Sequence, residues 1–260
     1  MSTSQIIAIV NQKGGVGKTT TTINLSTVLA TTGANILVID LDPQGNTSTG
    51  FGVSQQDRKN NIYQALIGEI SINQCIITTQ VPNLNIITAN TNLSAIELEL
   101  VPLKDREYVL SKILKSLSST YDYIIIDCPP SLSLLTINAL VAADKVLIPM
   151  QCEFYSLEGL SHLLKTIELI EKNLNPKIKI IGILFTMYDK RNRLTEQVEE
   201  DVRRCLGDLV FNTTIPRNVR LSEAPSYGQP AILYDHKCSG SIAYIELTKE
   251  ILDKKILYGE

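Results

Sequence analysis

Asn11-Gln12-Lys13-Gly14-Gly15-Val16-Gly17-Lys18-Thr19-Thr20 follows directly on an apolar run, residues 6–10, and opens a Thr-rich stretch of helical periodicity over residues 19–31. A strand, a glycine-rich turn, Gly-Lys-Thr and a helix in that order form a phosphate cradle. Glycines let backbone N–H groups converge on an anion, and the helix N-terminus adds its partial positive charge. In such a cradle Lys18 lies along the β- and γ-phosphates of a nucleotide and the Thr19 hydroxyl ligates Mg²⁺. A turn that merely joins strand to helix is the bland alternative, and Gly, Lys and Thr standing together in this context disfavour it.

Working outward, short β-branched runs alternate with longer helical stretches. Residues 6–10, 36–39, 84–87, 123–126, 146–148 and 178–185 are continuously apolar, which predicts strands buried on both faces. Helices are predicted over 19–31, roughly 104–117, 134–143, 157–173, 194–206 and 241–257. Strand–helix alternation implies parallel pairing through right-handed crossovers. The expected fold is α/β: a mostly parallel twisted sheet with helices on both faces, a P-loop NTPase-like three-layer sandwich with its ligand at the carboxyl ends of the strands. No long Pro, Gly or Ser linker and no internal repeat divides the chain, so residues 1–260 are expected to form a single nucleotide-binding domain.

Composition sets the outer bounds. The 260 residues are 44% hydrophobic and 20% charged, which excludes intrinsic disorder. There are 24 Lys plus Arg against 27 Asp plus Glu, a formal net charge of -3, so any affinity for a phosphate backbone must come from a local patch. Cys75, Cys128, Cys152, Cys205 and Cys238 are scattered without a CxxC pair and read as thiols in a reducing compartment. The start carries no basic, leader-like segment, and no apolar run reaches the roughly 18 residues of a membrane span, so a cytoplasmic location is expected.

Two acidic segments complete the cradle. Asp40-Leu41-Asp42-Pro43-Gln44-Gly45-Asn46 follows the second strand and puts two carboxylates in the same cleft, where one can face the Mg²⁺ shell and the other can orient a water. One of the pair could instead cap a helical turn. Ile124-Ile125-Ile126-Asp127-Cys128-Pro129-Pro130 is an aliphatic strand ending in Asp, the Walker B pattern, in which Asp127 holds a magnesium-bound water.

Gln12 at the first glycine position, with Lys13 directly after it, resembles the deviant Walker A motif of the ParA/MinD superfamily. Thr214-Ile215-Pro216-Arg217-Asn218-Val219-Arg220-Leu221-Ser222-Glu223-Ala224-Pro225 and the segment through Pro230 resemble the signature of chromosomal ParA, or Soj, proteins, and with residues 186–191 the resemblance spans essentially the whole chain. It implies an ATP hydrolase whose ATP-bound homodimer binds double-stranded DNA non-specifically on the nucleoid. A ParB-type partner stimulates hydrolysis and release. On this resemblance Lys13 reaches the phosphates of the partner subunit, Asp42 positions the attacking water, Asp40 sits near the metal, and Pro216 and Asn218 contact the adenine end. Arg191 and Arg220 carry DNA contacts within a basic group that includes Lys190, Arg193, Arg203, Arg204 and Arg217. Glu196, Glu199, Glu200 and Asp201 dilute that group, so the residues alone fit a solvated mixed-charge helix equally well. The absence of an Asn-Lys-x-Asp motif agrees with ATP over GTP.

Two other members of the superfamily set alternatives. A MinD-like membrane-cycling ATPase would end in a basic amphipathic helix, whereas Glu250, Asp253 and Glu260 in the tail weaken attraction to anionic lipid, so no membrane partner is expected. A nitrogenase-iron-protein-like reductase needs a cysteine pair, and Cys128 beside Asp127 has no fitting partner. A non-enzymatic nucleotide-holding domain would require that Asp42 orient nothing.

Overall fold

Ile7 and Ile9 of the first strand pack into one apolar cluster while Ala8 and Val10 pack into another, and all four are fully buried. An extended chain turns successive side chains to opposite faces, so a run with no polar alternation needs cover on both sides. The computed structural model describes residues 4–117 and 120–253. Its sheet holds β1 (Gln5–Ile9), β2 (Ile36–Asp40), β3 (Ile76–Thr78), β4 (Leu84–Ile87), β5 (Tyr123–Asp127), β6 (Lys145–Gln151) and β7 (Lys179–Thr186) in the order β3-β4-β2-β5-β1-β6-β7. All neighbours run parallel except β3, which is antiparallel to β4 at the edge. This three-residue strand was not expected from the sequence.

One face is covered by α1 (Lys18–Thr31) and three C-terminal helices, α9 (Val219–Glu223), α10 (Ala231–Tyr234) and α11 (Ser239–Asp253), with the short α2 (Asn46–Gly50) at the site end. The other is covered by α3 (Ile62–Leu66), α4 (Ile96–Leu100), α5 (Val109–Leu114), α6 (Leu134–Ala142), α7 (Ser156–Asn173) and α8 (Arg193–Leu206). Each fully buried Ile or Leu in these layers contributes about 1.5–3 kcal/mol. The expected helix over 104–117 is instead a 3₁₀ turn, Arg106–Tyr108, then α5, then a second 3₁₀ turn, Lys115–Leu117. Asn138 of α6 forces the break, because its Oδ1 accepts from Leu110 N–H while its Nδ2 donates to the Arg106 carbonyl. Of the expected helix 241–257, residues 254–257 lie outside the described residues, as does the rest of the tail on which the membrane alternative turned.

A Thr-rich helix can be buried when its hydroxyls find partners. In α1 Ser26 donates to the Thr22 carbonyl at 2.6 Å and Thr27 to the Ile23 carbonyl at 2.7 Å, while Thr21 meets the Tyr244 hydroxyl of α11 at 3.1 Å. The helix is thereby fixed against the sheet, and its N-terminus points at the carboxyl ends of β1, β2 and β5.

Candidate nucleotide-binding site

Gly15 and Gly17 take left-handed backbone angles, φ 73° and 85°, and Gly17 is the N-cap of α1. L-residues with side chains resist that region, so these glycines let the loop curl over the helix end. Two side chains from neighbouring strands brace it: Thr186 at the end of β7 donates to the Val16 carbonyl at 2.7 Å, and Gln151 at the end of β6 donates to the Gly15 carbonyl at 2.9 Å. Lys18 is 6% exposed, and its Nζ donates to the Lys13 carbonyl at 3.1 Å. Burial pushes its pKa down, and the Asp127 carboxylate opposes that shift.

The acidic groups meet where β2 and β5 end side by side, Asp40 opposite Asp127 in register. Asp127 is fully buried and accepts from Thr19 at 2.8 Å, Thr47 at 2.5 Å and Thr22 at 3.2 Å. Burial raises its pKa to about 6, against the pull of the Thr47 and Thr19 hydroxyls. Asp40 is raised to about 7 by burial and then by the Asp127 charge. Its Oδ2 accepts from Ser48 N–H at 2.8 Å and Ser48 Oγ at 2.6 Å, and its Oδ1 accepts from Asp42 N–H at 3.3 Å. Asp40 therefore holds the following loop from its place beside Asp127. Asp42 is 8% exposed and its Oδ1 accepts from Gln44 N–H at 3.0 Å.

Two adjacent acids, both raised by burial and Asp40 further by the Asp127 charge, with threonine hydroxyls on Asp127, form a donor set that a hard divalent cation relieves. Among the described residues no three His, Cys, Asp or Glu side chains cluster as a metal site. A magnesium ion here would take most of its ligands from phosphate and water, as it prefers to do. Cys128 faces the core, fully buried, with its pKa pushed far up by burial.

Beside the loop lies a cavity of about 400 Å³ whose lining includes Gly17, Thr20, Met187, Pro216 and Asn218, a size that suits a nucleoside. Pro216 and Asn218, the residues expected at the adenine end, both line this cavity. The Asn218 amide also works locally, capping α9 through Arg220 N–H at 2.8 Å and donating to Ser239 at 2.9 Å. Lys13 is not turned into its own cradle: its ammonium pairs with the Glu153 carboxylate.

The two expected DNA-contacting arginines are both paired with acids. Arg191 grips Asp189 through Nε at 2.9 Å and Nη2 at 2.8 Å. Arg220 holds Glu223 at 2.8 Å and lies 3.6 Å from Asp235. Lys190, Arg193 and Arg217 have no such ion pair among the described residues. Sequence reasoning missed Thr47, Ser48, Gln151, Glu153 and Thr186 as site residues. The hydroxyl run directly after Asn46 was the available signal for the first two; the others are polar strand ends or loop residues that gain meaning only from the sheet order.

The family described as an AAA domain matches residues 4–180. The chromosome partitioning protein ParA of Caulobacter vibrioides is 50% identical over 253 residues, 96% of this chain and 95% of that protein. The sporulation initiation inhibitor protein Soj of Bacillus subtilis is 51% identical over 247 residues, covering 95% and 98%. Among solved structures, the cobyrinic acid a,c-diamide synthase of Mycobacterium smegmatis with bound ATP analogue and magnesium superposes with a TM-score of 0.85 at 33% identity, covering 97% of this chain and 96% of that one.

Proposed function

The chain belongs to the ParA/Soj family of chromosome-partitioning ATPases, and from that membership we propose that it binds Mg-ATP in the loop from Lys13 to Thr20, closes into a homodimer, and as that dimer binds double-stranded DNA without reading its sequence. A ParB-type partner, itself bound to DNA, stimulates hydrolysis and releases the subunits. The observation that carries the reading is the 2.8 Å hydrogen bond from Thr19, on the first turn of α1, to Asp127 at the end of β5. It ties the glycine loop to the Walker B strand, the arrangement a magnesium-bound triphosphate requires.

In this mechanism the backbone N–H groups of Gly14, Gly15, Val16, Gly17, Lys18, Thr19 and Thr20 and the Lys18 ammonium hold the phosphates. Thr19 and Asp127 would hold the magnesium, with Asp40 beside them. Bound magnesium neutralises negative charge on the phosphoryl oxygens. Asp42 orients the attacking water, and Pro216 and Asn218 border the adenine. Lys13 leaves Glu153 and reaches the phosphates of the second subunit. Glu153 therefore competes with the dimer for this lysine. Lys13→Ala should bind ATP as a single chain yet fail to dimerise; a normal ATP-dependent shift in sedimentation would refute the role in the partner's site.

DNA binding draws on Lys190, Arg191, Arg193, Arg217 and Arg220, doubled by dimerisation. Phosphate affinity rises steeply with the number of cations engaged, so DNA binding becomes conditional on ATP. The paired arginines must exchange their carboxylates for phosphates, which costs part of the gain. The test is co-sedimentation with duplex DNA, and separately with anionic liposomes, each with and without ATP. Pelleting with DNA only in ATP is expected, and Arg220→Glu should still dimerise while losing about tenfold or more in DNA affinity. Equal binding to DNA without nucleotide, or pelleting with liposomes instead, overturns the reading.

A further inference from the structure

Arg58 is 4% exposed, and no carboxylate pairs with it among the described residues. Buried guanidinium groups are costly unless every donor is used, and here every donor is used on neutral oxygens. Nε donates to the Val53 carbonyl at 3.2 Å, Nη2 to the same carbonyl at 2.7 Å and to Thr49 Oγ1 at 2.8 Å, and Nη1 to the Gly45 carbonyl at 3.0 Å and the Ala89 carbonyl at 3.5 Å. Burial lowers its pKa, and the nearby Asp40 charge opposes that shift.

One of the atoms it holds, the Gly45 carbonyl, ends the turn that carries Asp42, and the others lie on the segments that flank it, Thr49 and Val53 after it and Ala89 after β4. Gly45 N–H donates back to the Asp42 carbonyl at 2.9 Å, closing the turn over Pro43 and Gln44. The Gly45 carbonyl in turn accepts from Thr49 N–H at 3.0 Å, starting α2. Gly45 sits at φ 64°, and a Cβ there would fall on the Arg58 guanidinium. Thr47 and Ser48 fix the near side of α2 to Asp127 and Asp40, and Arg58 fixes the far side. The turn is thus clamped between the metal-side acids and one arginine.

We infer that Arg58 is a positioning residue for hydrolysis: its planar fork sets the turn that aims the Asp42 carboxylate. The inference rests on the reading of Asp42 as the group that orients water. Lysine cannot replace it, because one ammonium offers three donors from a single point and cannot span carbonyls on separate segments.

The test compares Arg58→Lys, Arg58→Ala and Asp42→Ala as full-length proteins, measuring Mg-ATP affinity, single-turnover hydrolysis and melting temperature. Misplacing a reacting group by an ångström costs about 10²-fold, so Arg58→Lys should lose about that factor in turnover while affinity stays within about threefold. Millimolar guanidinium added to Arg58→Ala should restore part of the turnover. The inference is overturned if Arg58→Lys hydrolyses at the parent rate while Asp42→Ala is inactive. It is also overturned if turnover, affinity and melting temperature fall together and guanidinium restores none of them. An Asp42→Ala protein that hydrolyses normally removes the role of Asp42, and the inference with it.

Discussion

Lys18→Ala protein should fold and melt normally, yet show no ATP-induced rise in melting temperature. In the parent chain the ammonium is buried with one carbonyl partner at 3.1 Å, leaving further donors for phosphate oxygens. Its desolvation is already paid in the folded protein, and burial has lowered its pKa. Removing it deletes a charge-assisted contact and leaves the Asp127 and Asp42 carboxylates facing the incoming triphosphate without a counter-charge. A hydrogen bond to a charged group contributes about 1.5–3 kcal/mol, so its loss lowers affinity by about 10- to 10²-fold. The unliganded variant should be as stable as the parent or slightly more so, because a buried cation has been removed. Calorimetric titration with Mg-ATP checks the affinity, and thermal melts with saturating nucleotide check the linkage. Normal binding would mean that the cradle is misassigned.

Asp42→Ala should bind Mg-ATP and accumulate as a DNA-bound dimer, because hydrolysis is the step that it removes. A group that positions or deprotonates the attacking water contributes about 10²–10⁴-fold, so turnover should fall into that range while nucleotide affinity holds. The side chain also accepts the Gln44 N–H bond at 3.0 Å, an Asx turn that alanine cannot make. Asp42→Asn separates the two roles, since the amide oxygen keeps the turn but the negative charge is gone. Both variants inactive would assign the loss to the carboxylate; an active Asp42→Asn would assign it to the turn. Retained hydrolysis in Asp42→Ala would remove this residue from the mechanism.

The central strands were legible because residues 6–9 of β1, 36–39 of β2 and 123–126 of β5 are continuously apolar, with no polar residue alternating, the pattern of a core on both faces. The glycine loop was legible because its chemistry is local. Short edge strand β3 was not, since Ile76-Ile77-Thr78 is too brief for a period and exists through pairing with β4. Helix α2 was hidden for a related reason: Asn46-Thr47-Ser48-Thr49-Gly50 has poor helix propensity, and its hydroxyls bond to Asp40 and Asp127 instead of being left to solvent. Arg58 between Asp57 and Lys59 reads as a solvated charge; only tertiary packing turns it inward. The arginine ion pairs lay partly in view, because Asp189 and Glu223 stand two and three residues from Arg191 and Arg220.

The position of β1 between β5 and β6 has a consequence for synthesis on the ribosome. This strand emerges before its partners: its two neighbours are residues 123–127 and 145–151, and the threonine that braces its loop is residue 186. Until those segments leave the exit tunnel, a bare β-strand of Ile6, Ile7, Ala8 and Ile9 waits with both edges open, the condition that recruits chaperones and invites aggregation. Truncated nascent chains ending before β7 should therefore be unable to hold nucleotide, and the ATPase becomes competent only late in translation.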